Sequence, residues 1–474
     1  MEQQQSVRDN PLAFESTGRL IAKYSVPSVI AMLVSSLYNI VDQIFIGQGV
    51  GMLGNAATNV AFPFVNICIA LSLLIGIGGA SNFNLNMGRG ENEKAKSYAG
   101  TSISLLILSG LALSIFSLLF LKPILIAFGS TKQVFPYALT YTRITALGFP
   151  FLIATNGFCN LIRSDGSPRY SMVVMVTGAV INTCLDPLFI FGFHWGIAGG
   201  AAATVIGQIV SCVMAAAYLT RFRTMKLTKD CLKINADNLK AIVSIGIASF
   251  FNQIAMMAVQ IALNNTLAYY GALSSYGSDI PLACAGVIIK VNAFVMAFAI
   301  GIAQGCQPIL GFNYGAQLYG RVRDTLKKEI ITVTAIFSAA FICFQLIPRQ
   351  IVSIFGEGSA AYFHFAERYF RIYLFMVFIN GLQPIVSNFF SSIGKAWKGI
   401  FLSLTRQILF LLPLILLLPI FLGIDGVMYA GPIADGIAAV TAFFLGRHEF
   451  IQMQKLETSQ DSSETAAARS EEHT

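Results

Sequence analysis

Charge is scarce in this sequence. Only 11% of its 474 residues are Asp, Glu, Lys or Arg, while 55% are hydrophobic; soluble proteins carry roughly 25% charged residues. A chain this long with so few charges cannot cover its surface with water-facing groups, which excludes an ordinary soluble domain. The patterns of energy-coupled and hydrolytic enzymes are missing too. There is no GxxxxGK[ST] for ATP, no DDxxD pair and no HExxH, so no enzyme class is indicated. The four histidines, His194, His364, His448 and His473, fall at predicted helix ends or beyond and do not cluster. No CxxC pair occurs, and seven of the eight cysteines sit in apolar stretches, with Cys231 in a loop. Neither a disulfide framework nor a zinc site is implied. Period-2 alternation is lacking, which argues against a membrane barrel.

What is present is a series of apolar runs of about 20 residues, the length that crosses a bilayer as a helix. Only helices or closed barrels satisfy their backbone in lipid. The runs predict twelve helices at 20–46, 55–86, 98–121, 136–161, 170–192, 197–220, 240–267, 281–311, 327–347, 363–389, 399–420 and 426–446. An even number places both ends of the chain on one side, and basic residues decide which. Of the 31 Lys and Arg residues, 23 fall in the termini and the loops on their side, three (Lys122, Lys132, Arg349) in the opposite loops and five within helices. The positive-inside rule then puts both termini in the cytoplasm of an inner-membrane protein. This asymmetry also accounts for the net charge of +8 without invoking nucleic acid. Met1–Lys23 is polar with no cleavable signal pattern. The segment from 457 onward, rich in Ser, Glu and Ala, reads as disordered.

The two halves repeat at a spacing of 227 residues. Gly196-Ile-Ala-Gly199 matches Gly423-Ile-Asp-Gly426, and Gly78 and Gly88 match Gly305 and Gly315. Six helices per half make the repeats parallel, related by a pseudo-two-fold along the membrane normal. Transporters so built bind substrate between the halves and rock them to alternate access. The expected organisation is an all-α membrane protein of two six-helix lobes: 1–225, a cytoplasmic linker 226–239, 240–450, and a disordered tail 451–474.

Intramembrane acids are costly, and each is a functional candidate. Asp42, Asp186 and Asp435 lie well inside predicted helices, whereas Glu367 falls near an interface. Asp42 follows Ser35 and Asn39 at helical spacing, Asp186 follows Asn182 by one turn, and Thr204 and Gln208 are one turn apart. Three helices of one half thus present polar stripes, as a cation or proton site would require. The plainer alternative is buried amides and hydroxyls that bridge helices. In the other half, Lys290 with Asn292 nearby, Arg406 and Asp435 are intramembrane. A bridge from Lys290 or Arg406 to Asp435 is expected there, with Asp435 the first choice of partner for Lys290. Pro27 predicts a kink and a possible hinge in helix 1.

The stretches Tyr38-Asn-Ile-Val-Asp42-Gln-Ile-Phe-Ile-Gly47, Asn182-Thr-Cys-Leu-Asp186-Pro-Leu-Phe-Ile-Phe-Gly192 and Gln307-Pro-Ile-Leu-Gly-Phe-Asn-Tyr-Gly-Ala316 resemble the MATE (multidrug and toxic compound extrusion) family, in its MepA-like bacterial branch. The resemblance implies two lobes in a V, with lipophilic, cationic, aromatic drugs exported from the cleft in exchange for H⁺ or Na⁺. It implies an ion site at Asp42, Asn182, Asp186 and Thr204, with Asn39, Gln208, Lys290 and Asp435 as accessory polar groups and Pro27 as the helix-1 bend. No cofactor beyond the coupling ion is implied, and the expected form is a monomer in lipid. Other branches of the family use acids in helices 7 and 10. Here those helices offer Asn252, Gln253, Gln260, Asn380 and Gln383, which argues against coupling in the second lobe. A lipid-linked oligosaccharide flippase of the same superfamily and an intramembrane enzyme are the competing readings.

Overall fold

The structure, a computed structural model, describes residues 10–128, 130–277, 279–354 and 359–471. Twelve spans follow one another: α1 Thr17–Val50, α2 Met52–Gly88, α3 Asn92–Leu119, α4 Phe135–Ser164, α5 Pro168–Gly192, α6 Ile197–Leu219, α7 Ala236–Ala272, α8 Asp279–Gly315, α9 Tyr319–Leu346, α10 Ala360–Tyr373 with Val377–Ser392, α11 Ala396–Leu422 and α12 Ile424–Glu471. The two pieces of α10 meet at 46°. The protein is a multi-pass membrane protein of two six-helix lobes, as the repeat and the apolar runs predict. Among the described residues there is no β-strand.

The repeated glycine motifs fold alike because the backbone demands it. Gly196 and Gly423 adopt φ of 56° and 58°, a region that a Cβ disfavours. In each motif the second glycine, Gly199 or Gly426, rests on the backbone of the helix before it, at Phe189 and Leu418. α6 and α12 are therefore turned back tightly onto α5 and α11. Both preceding helices also contain π-helical turns, Leu188–Gly192 in α5 and Thr405–Leu411 in α11.

Each lobe buries its own core. Phe64, Phe83, Phe149 and Phe158 centre the first, and Phe337, Phe365, Phe370 and Phe389 the second. The chain's start does not respect the lobe boundary expected from the repeat. Leu12, Leu20, Ile21 and Tyr24 belong to the second core, and Arg321 and Asn313 donate to the Leu12 carbonyl, each at 3.0 Å. The linker is pinned as well. Ser104 donates to Leu232 O (2.6 Å), Asn238 donates to Ser97 (2.7 Å), and Cys231 packs over Gly100 of α3.

The lobes meet in a seam toward the basic, terminus-bearing end. Gly78 abuts the Ile242 carbonyl, Gly246 the Leu74 carbonyl, Gly301 the backbone of Val29 and Gly305 that of Ser25. Gly88 against Phe312 and Gly315 against Leu85 make a reciprocal pair, as two-fold-related helices must. Amides reinforce the seam: Gln307 donates to Ser81 Oγ (2.9 Å), Arg163 to Gln304 (2.9 Å) and Gln253 to Asn66 (3.1 Å). Past Asn66 and Gln253 the facing helices turn large side chains outward, among them Leu37, Ile44 and Phe294.

The tail departs from expectation. Instead of becoming disordered at 451, α12 continues as helix to Glu471. Met453 is wholly buried in the second core, Glu457 pairs with Arg323 of α9, and Gln460 donates to Gln317 at 2.9 Å. Its polar composition hid these anchors; residues 472–474 lie outside the described residues. Glu449, 1% exposed, is clamped by Lys395 and by Lys398 at 2.7 Å.

A methyl group at Gly246 would collide with the Leu74 carbonyl, whereas one at Gly286 would meet nothing within 4 Å. Overpacking costs ~1–3 kcal/mol. Gly246→Ala is therefore expected to lower the thermal unfolding midpoint of the purified protein, and Gly286→Ala to leave it unchanged. Equal midpoints would show that the seam is not held by close backbone approach.

Candidate functional site

Within the first lobe, α1, α4, α5 and α6 converge on one polar cluster. Asp42 and Asp186 bring their carboxyl groups face to face, within side-chain hydrogen-bonding reach of each other. Asp186 is fully buried and Asn182 nearly so. With its amide turned to satisfy both neighbours, Asn182 donates to Asp186 Oδ2 (3.3 Å) and accepts from the Thr204 backbone N–H (3.2 Å). Thr204 donates its hydroxyl to the Gly200 carbonyl at 3.0 Å. Asp42 Oδ1 is buried without any hydrogen-bond partner. In two carboxyl groups this close, the charge of one bears directly on the other.

Local sequence explains the convergence. Asn182 and Asp186 are one helical turn apart on α5. Pro187 and the π turn that follows end the regular helix there, and such turns often mark functional positions. Two tyrosines complete the cluster and were not singled out in the sequence. Tyr38 sits one turn before Asp42 and beside both acids. Tyr141 of α4 faces Thr204 and both acids. Tyr38 was legible in principle from its i−4 spacing; Tyr141, from a helix with no acid on that face, was not.

The remaining candidates are dispersed. Asn39 is exposed and donates to the Ser35 carbonyl (2.7 Å). Gln208 packs over Gly148 with a buried, unpartnered Oε1, one turn beyond Thr204. Pro27 lies inside α1, which runs unbroken from Thr17 to Val50, close to Pro168 and Tyr170 of α5. Glu367 pairs with Arg349 at 3.8 Å. The proposed Lys290–Asp435 bridge does not form: Arg406 takes Asp435 at 2.5 Å, both nearly buried and beside Tyr373. α11 and α12 are adjacent, so Arg406 reaches its partner along a short path, whereas Lys290 faces the other way. One further acid went unnoticed. Glu329 of α9 is 1% exposed with Oε2 unpartnered; it looked like a helix-end residue because α9 begins at Tyr319 rather than near 327.

These features define a class: a two-lobed integral membrane protein with two facing carboxyl groups within one lobe. Comparison with known proteins identifies the family and the fold. The sequence pattern of the MatE family matches residues 27–188 and 248–417. Among curated relatives, the multidrug export protein MepA of Staphylococcus aureus (strain COL) is 24% identical over 425 residues, covering 89% of this chain and 92% of its own. MepA of Staphylococcus haemolyticus (strain JCSC1435) is 24% identical, covering 89% and 91%. The fold is that of solved structures described as an outward-facing multidrug resistance MATE family transporter of the MOP superfamily (TM-score 0.86, 23% identity, 96% of this chain and 99% of that one) and as MATE in the bent conformation (TM-score 0.85, 23% identity, 96% and 99%). The chain belongs to the MatE family.

Breaking a buried ion pair from one side leaves an uncompensated charge and costs ~3–5 kcal/mol, whereas replacing both partners with apolar groups is often near neutral. Asp435→Leu alone is therefore expected to lower thermal stability sharply, and Asp435→Leu with Arg406→Met to recover most of the loss. A double variant as unstable as the single one would point to a role beyond charge balance.

Proposed function

We propose that this protein is a secondary active multidrug exporter. It would drive lipophilic, cationic compounds out of the cell by antiport with H⁺ or Na⁺, through rocking of its two lobes. The observation that carries this reading is the facing pair Asp42 and Asp186, the second fully buried and the first half-buried with one carboxyl oxygen out of reach of any partner. Carboxylate, amide and hydroxyl oxygens suit a proton or a hard cation such as Na⁺ equally. What supports multidrug export is family membership together with the likeness to the multidrug export protein MepA. We place both termini in the cytoplasm on the basic asymmetry, which puts the lobe seam on the cytoplasmic side. We take the working unit to be a monomer.

The mechanism follows from differential stabilisation. With a cation or proton between them, Asp42 and Asp186 attract a common partner and the first lobe closes tightly around α1. Without it, their repulsion favours a conformation in which α1 stands away from α5. Pro27 lies where α1 passes α5 at the basic end, so a bend there transmits the change to the drug cleft. A ligand shifts such an equilibrium only by its unequal affinity for the two states, and here drug and ion favour opposite ones. One elementary charge across 100 mV is worth about 2.3 kcal/mol, so one or two ions suffice for useful accumulation.

Asp42→Asn and Asp186→Asn are expected each to abolish gradient-driven dye efflux from proteoliposomes while leaving the protein folded and inserted. Glu367→Gln is expected to retain most activity. Efflux should stop when both the proton and the sodium gradients are collapsed, and should not need ATP. Wild-type rates in both Asn variants would sink the coupling role of this pair. Transport that persists on ATP alone would sink the antiport reading.

A further inference from the structure

Lys290 lies mid-span in α8 and faces the space between the lobes. The helix phase fixes this. Gly301 and Gly305 of α8 touch Val29 and Ser25 of α1 at the seam, and Lys290 is eleven residues, three helical turns, before Gly301. It therefore projects from the same face, about 16 Å farther from the seam along the helix. There the lobes have parted: Lys290 is exposed, and at Gly286, one turn beyond, an added Cβ would find nothing within 4 Å. Phe294, 41% exposed, shares the face and meets Phe298 edge-on at 5.9 Å between ring centres.

Among the described residues this cation has no counter-charge. No hydrogen bond or ion pair reaches Lys290 among the described residues. The other walls are uncharged: α2 holds no Asp, Glu, Lys or Arg, and α7 none beyond Lys240. From the seam outward, α1 contributes only Asp42, which is turned into its own lobe toward Asp186. What the facing surfaces offer is amides, among them exposed Asn39 and Asn264, the latter accepting from Gln260 at 3.0 Å. An ammonium at mid-membrane depth is expensive unless water or an anion meets it. A cleft with one positive charge and a phenyl wall disfavours a purely cationic guest and complements an aromatic one that bears an anion.

We infer that Lys290 and the Phe294–Phe298 wall form a subsite for the carboxylate of aromatic amphiphiles, so that this transporter takes acids and zwitterions in preference to simple organic cations. The inference rests on the exporter reading for the cleft's purpose and departs from it on the charge of the preferred substrate. Its test is equilibrium binding, which requires no gradient and so fails or succeeds independently of coupled transport. Fluorescence titration of the purified protein with 1-pyrenebutyrate and 1-pyrenebutylammonium compares one ring system with opposite charges. The wild type is expected to bind the carboxylate about tenfold more tightly, a difference of about 1.4 kcal/mol. Lys290→Met should erase or invert that preference, and Lys290→Arg should restore it, with unchanged thermal unfolding showing that both variants are folded. Phe294→Ala should weaken both probes alike. No preference in the wild type, or a preference that survives Lys290→Met, would overturn the subsite.

Discussion

Helices in lipid gain little by hiding apolar side chains from one another, because the solvent is as apolar as they are. Everything in this architecture depends on what replaces that drive at the lobe seam. Gly78, Gly246, Gly301 and Gly305 let backbones approach to contact, and Gln307, Arg163 and Gln253 supply hydrogen bonds across it. Such a joint is specific in register yet weak in total energy. The two lobes therefore stay rigid, each around its own phenylalanine core, while the surface between them is the part that can change.

The first lobe contains two facing acids, Asp42 and Asp186, set among Tyr38, Tyr141, Asn182 and Thr204. The second lobe instead pairs an acid with a base, Asp435 with Arg406. The lobes are thus alike in backbone and unlike in electrostatics. One sets two acids face to face, and the other pairs Arg406 with Asp435 while Lys290 stays exposed and Glu329 keeps an unpartnered oxygen.

Most of the architecture was legible in the sequence for physical reasons. Apolar length marks spans, and basic loops mark sides. The Gly-Ile-x-Gly repeat encodes a positive-φ turn that few other residues tolerate, and Gly196 and Gly423 do take it. The contacts among Asp42, Asp186, Asn182 and Thr204 could be anticipated because acids in hydrocarbon need company. Three features were not legible. Tyr141 joins the cluster through packing of α4, which no spacing records. Lys290 does not reach Asp435, because Arg406 on the adjacent α11 takes that carboxylate, a choice of packing within the lobe that no spacing records. The helical tail was hidden because its composition is that of a solvated segment, while its anchors, Arg323 and Gln317, lie more than a hundred residues earlier in the chain.

The pinned linker has a mechanical consequence. Ser104, Ser97 and Gly100 hold residues 231–238 against α3, and only a few residues later Ile242 is wedged against Gly78 in the seam itself. The covalent joint between the lobes is therefore a strap without slack, fastened at the fulcrum rather than looping around it. The lobes cannot drift apart or slide along the membrane plane. Any movement of one lobe on the other must therefore carry this strap with it, at the place where α7 lies on α2.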